Sequence, residues 1–272
     1  MKKTTIAGCE LYLGDCFDIL PRLDVFADAL ISDPPFNCTS LDWDVRLPLD
    51  QFWELAESRT KSTANYILFA TMRFAVDLIN SRPKFFRYDL CWSKNRKCGF
   101  LWANHQPLRS HEAILLFTRP GRFRESTYNA LRNPGGRVGV RSVSRKPGGV
   151  YGATRSSASV SDGLLHPSSV LNFDSDRKNN HGVHHPTQKP LDLMMWLVET
   201  YTNEGDLVID PFLGSGTTAL ACARTNRRFI GIEKEQKYFD LAIARLRAPQ
   251  PANLLADEIG DHAKLDFYSV AS

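Results

Sequence analysis

Long apolar runs are missing from this chain. No stretch approaches the ~18 to 20 uninterrupted apolar residues of a membrane span, and the opening Met1-Lys2-Lys3 is followed by no apolar signal-peptide core. Neither membrane insertion nor export is expected, and the cytoplasm is the expected location. Cysteine is sparse: six residues, at 9, 16, 38, 91, 98 and 222, fall in no metal-ligand or dithiol-oxidoreductase spacing. They read as reduced thiols. No segment repeats another, which excludes a solenoid or propeller.

Acid is scarce in one region. The net charge of the 272 residues is only +4, but Arg119, Arg122, Arg124, Arg132, Arg137, Arg141, Arg145, Lys146 and Arg155 face a single acid, Glu125, between 119 and 155. The same stretch holds Pro-Gly-Gly twice and leads into the serine-rich "SSASVSDG", so it reads as loop-rich. With 43% hydrophobic residues, the rest can bury a sizeable core.

Outside that stretch, short apolar runs suited to buried strands ("CELYL", "DALIS", "NYILFA", "YDLCWS", "EAILLFT", "DLVID", "RFIGIE") alternate with helical patterns. Among the helical patterns are "DQFWELAESRT", "RFAVDLINSR", "PLDLMMWLVETYT", "SGTTALACARTN" and "EQKYFDLAIARLR". The expected class is α/β with a mostly parallel central sheet, interrupted by a basic insertion over 119–182. The tail, 248–272, has no strong periodicity.

"VIDPFLGSGTTA" (208–219) ends a strand, turns on glycine and opens a helix. Gly214, Gly216 and Ala219 fit a G-x-G-x-x-A spacing, in which small residues admit a nucleotide cofactor and pack helix on strand. Glu233 closes the next strand, 23 positions after Asp210, where an acid can accept bonds from both ribose hydroxyls. The loop alone leaves the adenosine cofactor open, since a dinucleotide would place its pyrophosphate on the same helix.

"DPPF" (33–36) follows another strand. Pro34 and Pro35 fix two φ angles and remove two N–H donors, leaving carbonyls free beside the Asp33 carboxylate. Two adjacent acceptors suit a neutral NH₂ group, and Phe36 offers a flat stacking face. A planar base with an exocyclic amine fits all four residues.

Together "DPPF" and "DPFLGSGTT" (210–218) resemble the amino-methyltransferases of DNA, and their order is similar to the permuted beta group of that family. The resemblance covers roughly 9–118 and 183–246. It implies a Rossmann-like methyltransferase fold, S-adenosylmethionine as cofactor and double-stranded DNA as partner. Asp33, Pro34, Pro35 and Phe36 would act on the target base, with Asp33 also among the residues that meet the cofactor. Asp210, Phe212, Gly214, Ser215 and Gly216 would form the cofactor loop, with Glu233 on the ribose. "LGDC" (13–16) would bring Asp15, with Cys16, to the cofactor adenine, and Thr187 and Lys189 of "HHPTQKP" would hold the methionine carboxylate. Phe36 departs from the tyrosine common in the family, so no hydroxyl can contribute there.

The catalytic domain is thus expected over 1–118 and 183–247. Arg122, Arg124, Arg132, Arg137, Arg141, Arg145 and Lys146 are candidate DNA contacts within the insertion. Lys94, Arg96 and Lys97, beside Trp92 and Phe100, are candidates to line the same cleft. Trp43 reads equally as a cover over a flipped base or as core. His184 and His185 lack a third ligand, so no metal is expected. In the family it resembles, an aspartate at the motif's first position accompanies adenine N6 methylation and a serine cytosine N4, so the resemblance implies adenine N6 as target, with cytosine N4 the alternative. A nicotinamide-dependent dehydrogenase and a catalytically silent DNA-binding module are the rivals of other classes. A cognate restriction endonuclease, and a monomer or homodimer, belong to the same expectation.

Overall fold

A computed structural model describes residues 2–37, 45–142, 158–174 and 188–248. Trp43, Arg145, Lys146, Arg155, His184, His185, Thr187 and the tail beyond Ala248 lie outside the described residues.

The elements run β1 (Lys2–Ile6), β2 (Cys9–Leu13), α1 (Cys16–Ile19), β3 (Ala27–Ser32), α2 (Leu49–Ser58), β4 (Thr60–Ala70), α3 (Met72–Ser81), β5 (Phe86–Cys98) and β6 (Arg109–Thr118). They continue with β7 (Asn133–Ser142), β8 (Ala158–Leu165), β9 (Val170–Asn172), α4 (Leu191–Tyr201), β10 (Leu207–Asp210), α5 (Thr217–Arg224), β11 (Arg228–Glu233) and α6 (Gln236–Arg247). Nine strands form one sheet in the order β1-β2-β11-β10-β3-β4-β6-β5-β9. The sheet is mostly parallel; β1 against β2 and β6 against both neighbours are the antiparallel pairings.

Period-2 alternation explains the layering. Ala29, Ile31, Ile67, Phe69 and Val208 turn to one face, where α4, α5 and α6 cover them. Leu30, Tyr66, Leu68, Leu207 and Ile209 turn to the other, under α1, α2 and α3. Trp53 of α2 is fully buried there, ringed by Phe52, Tyr66 and Phe117.

The connection from β10 through α5 leads to β11 on one side, and that from β3 through α2 leads to β4 on the other. Between the parallel neighbours β10 and β3 the winding therefore reverses. Open α/β sheets bind ligands at the carboxyl ends of strands at such a point. The two motifs, far apart in the chain, meet there.

The segment 119–182 divides. Residues 119–129 and 169–174 belong to the large unit, where Asn129 Nδ2 donates to the carbonyls of Glu199 and Thr202, both at 2.9 Å. Strand β9 extends the sheet beside β5. The remaining described residues, 130–142 and 158–168, form a second unit built on the antiparallel pair β7 and β8. Glycine-rich composition concealed that hairpin, because backbone pairing needs no apolar pattern.

Candidate active site

The turn after β3 is built from buried parts. Ser32, wholly buried, donates to Asp210 Oδ1 at 2.5 Å and ties β3 to the glycine loop. Asp33 follows. Its Oδ2 accepts from the Lys189 ammonium, while Oδ1 is sealed from solvent and accepts no hydrogen bond among the described residues. Phe36 packs into both cores, 5.4 Å from the Phe74 ring, and Asn37 ends the turn with φ 53°, a left-handed value that asparagine tolerates.

Four alternating charges line the base of the turn. Lys189 bridges Asp33 and Glu112, lying 3.5 Å from Glu112 Oε2, and Glu112 also takes the ammonium of Lys94. Burial pushes the Asp33 carboxyl above its ordinary value against the pull of Lys189. Burial alone would raise Glu112 too, but Lys189 and Lys94 prevail and hold it below the usual range. Burial likewise opposes the charge on Lys189, and the two carboxylates outweigh it and hold the ammonium up.

Glu112 was missed by sequence reasoning. It heads the apolar run "EAILLFT", and because β6 is antiparallel to β4, its first residues lie at the edge where β4 ends. An acid opening a buried strand was the available signal. Lys189, expected to hold a methionine carboxylate with Thr187, instead has its ammonium between two carboxylates, which would repel a third.

In the glycine loop, Asp210 accepts from Ser32, from Thr218 Oγ1 at 2.8 Å and from the Phe212 N–H at 3.0 Å. Burial raises its pKa to about 6. It knits the loop to β3 as well as bordering the cavity. Gly214, at φ 54°, has nothing nearer than 3.9 Å where a Cβ would sit, and it lines the cavity. Gly216 does not line it. A Cβ there would come within 2.7 Å of the Ala242 Cβ, so this glycine, at φ 77°, serves the approach of α6.

Arg245 of α6 is a second residue the sequence hid. It is buried, and its Nη1 donates to the Ser215 carbonyl at 2.7 Å, Ser215 Oγ at 3.1 Å and Thr217 Oγ1 at 2.9 Å, clamping the loop from behind. Glu233 accepts from the N–H of Gly214 and of Glu235, each at 2.8 Å, and burial lifts its pKa to about 7. Asp15 caps α1 through the Phe17 N–H at 3.0 Å and lies 3.3 Å from Lys234 Nζ. The buried Cys16 thiol is pushed up to about 12, so it offers contact surface and no thiolate.

These groups surround one cavity of about 520 Å³. Asp33, Pro34, Pro35, Phe36, Glu112 and Lys189 border one part of it, and Asp15, Cys16, Phe212, Gly214, Ser215 and Glu233 another. Both motif sets therefore open on a common space of ligand size. Among the described residues no three His, Cys, Asp or Glu side chains converge as metal ligands.

The basic residues are scattered in role. Arg119 is part of the fold, donating to the Thr60 carbonyl at 3.1 Å and to the Tyr66 hydroxyl at 3.3 Å. Arg122 pairs with Glu125 and Arg132 with Asp162, each at 2.7 Å and exposed. Arg124 borders a separate cavity with Phe123, Tyr88 and Tyr201. Arg137 and Arg141 lie on β7. Trp92, a candidate for the cleft, is core instead: 4% exposed, with its indole N–H donating to the Phe173 carbonyl at 2.9 Å.

Comparison with known proteins places this geometry. Over 69 residues the chain is 48% identical to the Type II methyltransferase M2.DpnII of Streptococcus pneumoniae, a match covering 25% of this chain and 26% of that protein. Over 258 residues it is 28% identical to the Type II methyltransferase M.BglII of Bacillus subtilis, covering 86% of this chain and 67% of the relative. The chain thus spans about a quarter of the first relative and two thirds of the second. In fold it is similar to the crystal structure of the M1.HpyAVI-SAM complex, at TM-score 0.60 and 24% identity, over 88% of this chain and 99% of the other. No helix of the described residues is long and apolar enough to cross a membrane. A DNA methylase family model matches residues 27–244, most of the sheet and both motifs, and the chain belongs to that family.

Proposed function

We propose that the chain transfers a methyl group from S-adenosylmethionine to the N6 amine of adenine in double-stranded DNA. The observation that carries the proposal is Asp33, a residue of the cavity wall whose Oδ1 has no hydrogen-bond partner among the described residues. An unmet buried acceptor costs about 1–3 kcal/mol. A ligand N–H aimed at it recovers that cost. Pro34, also on the wall, brings a carbonyl and no competing N–H. Two acceptors side by side take both hydrogens of an exocyclic amine and fix the direction of its lone pair without removing a proton.

Phe36 gives the base a stacking face, and Lys189 holds the Asp33 carboxylate in place. When bound, S-adenosylmethionine supplies the electrophilic methyl group. The cavity suits it: Glu233 keeps acceptor capacity beyond its two backbone bonds for ribose hydroxyls, and Asp15 stands at the neighbouring wall for the adenine. The target adenine must leave the base stack to reach Asp33, at a cost of a few kcal/mol.

Adenine is favoured over cytosine N4 because the carboxylate stands at the motif's first position, while the Ser32 hydroxyl is spent on Asp210. A nicotinamide dehydrogenase would leave Asp33 Oδ1 and Phe36 without a task. A cognate restriction endonuclease and action inside a bacterial or phage-infected cell belong to the same proposal. Asp33→Ala should lower tritium transfer from labelled S-adenosylmethionine to DNA by at least about 10²- to 10³-fold, with S-adenosylhomocysteine binding retained. Near-normal turnover of Asp33→Ala would sink the proposal, and tighter binding of NAD than of S-adenosylhomocysteine would point to the dehydrogenase.

A further inference from the structure

The turn joining β5 to β6 exposes three consecutive large apolar side chains: Phe100 at 77%, Leu101 at 80% and Trp102 at 60%. Single exposed apolar residues need no explanation, but a contiguous Phe-Leu-Trp marks a contact surface. The turn is ordered by its own backbone. Trp102 N–H donates to the Gly99 carbonyl at 3.0 Å, Ala103 N–H to that of Phe100 at 3.1 Å, and His105 N–H to that of Trp102 at 2.8 Å. Gly99, at φ 88°, allows the reversal that starts it. The rings are presented on a preformed support, so contact through them loses little conformational entropy.

Charge identifies the partner. Residues 90–111 contain Lys94, Arg96, Lys97 and Arg109 and not one acid. Lys94 is engaged by Glu112, whereas Arg96, Lys97 and Arg109 are exposed on the two strands that carry the turn. A second copy of this chain would bring the same positive surface against it; a phosphate backbone would not. Position identifies the task. Lys94, Cys98 and Arg109 line the cavity that holds Asp33, so the apolar tip begins within two residues of its rim.

We propose that Phe100, Leu101 and Trp102 form a wedge that enters the DNA base stack and fills the gap left when the target base swings into the cavity, while Arg96, Lys97 and Arg109 grip the flanking phosphates. The wedge rests on the reading of the chain as a DNA methyltransferase. Apolar side chains inserted at a base step stabilise an opened duplex. Stacking of an aromatic ring on a base is worth about 1–3 kcal/mol, or about 5- to 140-fold in affinity.

A gap already made should reveal the wedge whatever the recognition sequence. The full chain, with S-adenosylhomocysteine, is titrated against a duplex carrying one central abasic site and against the intact duplex of the same sequence. The wild-type chain should bind the abasic duplex about 5- to 140-fold more tightly. The double variant Phe100→Ala/Trp102→Ala should bind both duplexes alike, keep the intact-duplex affinity set by its cations, and keep cofactor-product binding, as changes at exposed positions allow. A wild-type chain without preference, or a variant that retains it, would overturn the wedge. A wild-type dimer that becomes monomeric in the variant, by sedimentation velocity, would assign the tip to self-association instead. If the wild-type chain bound abasic DNA preferentially but methylated no DNA, the wedge would stand and the proposed activity would fall.

Discussion

Replacing Glu233 by glutamine should change how stability and cofactor binding respond to pH, and both effects follow from one carboxylate. Burial raises its folded-state pKa from 4.5 to about 7. The folded chain therefore holds this proton more tightly than the unfolded chain, and stability present at low pH is lost as pH rises from about 4.5 towards 7. At 1.36 kcal/mol per pKa unit, the change between about pH 5 and pH 8 comes to about 2.5 kcal/mol. Urea unfolding of the ligand-free protein across that range should show a loss of this size from Glu233, superimposed on other titrations, and Glu233→Gln should remove it. Ribose hydroxyls donate best to the ionised form, so S-adenosylhomocysteine affinity should rise about tenfold per pH unit below about 7 and level off above it. Glu233→Gln should bind weakly at every pH. Parallel pH profiles of stability for wild type and variant would refute the burial argument; unchanged affinity in the variant would refute the ribose assignment.

Three further outcomes follow from the loop and the charge cluster. Gly216→Ala combines a left-handed backbone with a 2.7 Å approach to Ala242, and should cost about 2–4 kcal/mol in urea unfolding. Arg245→Met removes the donor of three bonds to Ser215 and Thr217 and should cost about 2–4 kcal/mol while weakening S-adenosylhomocysteine binding; Arg245→Lys should restore part of both, since all three bonds come from the single Nη1 and an ammonium also offers three hydrogens, on a stem one bond shorter. Glu112→Ala leaves two buried ammonium groups around Asp33 in place of a balanced set, and should cost about 3–5 kcal/mol and depress methyl transfer more than cofactor binding. Equal loss of transfer and binding would mean that Glu112 only supports the fold.

The two motifs were legible because each sits where a buried apolar strand stops, and that pattern is local. Their meeting was legible only through chain order and the resemblance; in the structure it is the β10–β3 pairing that brings Ser32 onto Asp210. Residues that act across elements left at most a weak local mark. Arg245 reads as one more cation on an amphipathic helix, yet it is buried against the glycine loop. Glu112 reads as the polar start of a strand, and its position depends on the antiparallel direction of β6. Gly216 fits the nucleotide spacing, but its missing Cβ serves Ala242 of α6. Within the charge run the roles differ: Arg119 is bound into the fold, whereas Arg122 and Arg132 are exposed in ion pairs.

The most direct test of the proposed chemistry is to incubate the purified chain with S-adenosylmethionine and unmethylated genomic DNA, digest to nucleosides and weigh the bases by mass spectrometry. N6-methyladenine is the expected product, formed by wild type and absent with Asp33→Ala. N4-methylcytosine would contradict the assignment of the base, and no methylated nucleoside at all, with S-adenosylhomocysteine still bound, would contradict DNA as the substrate.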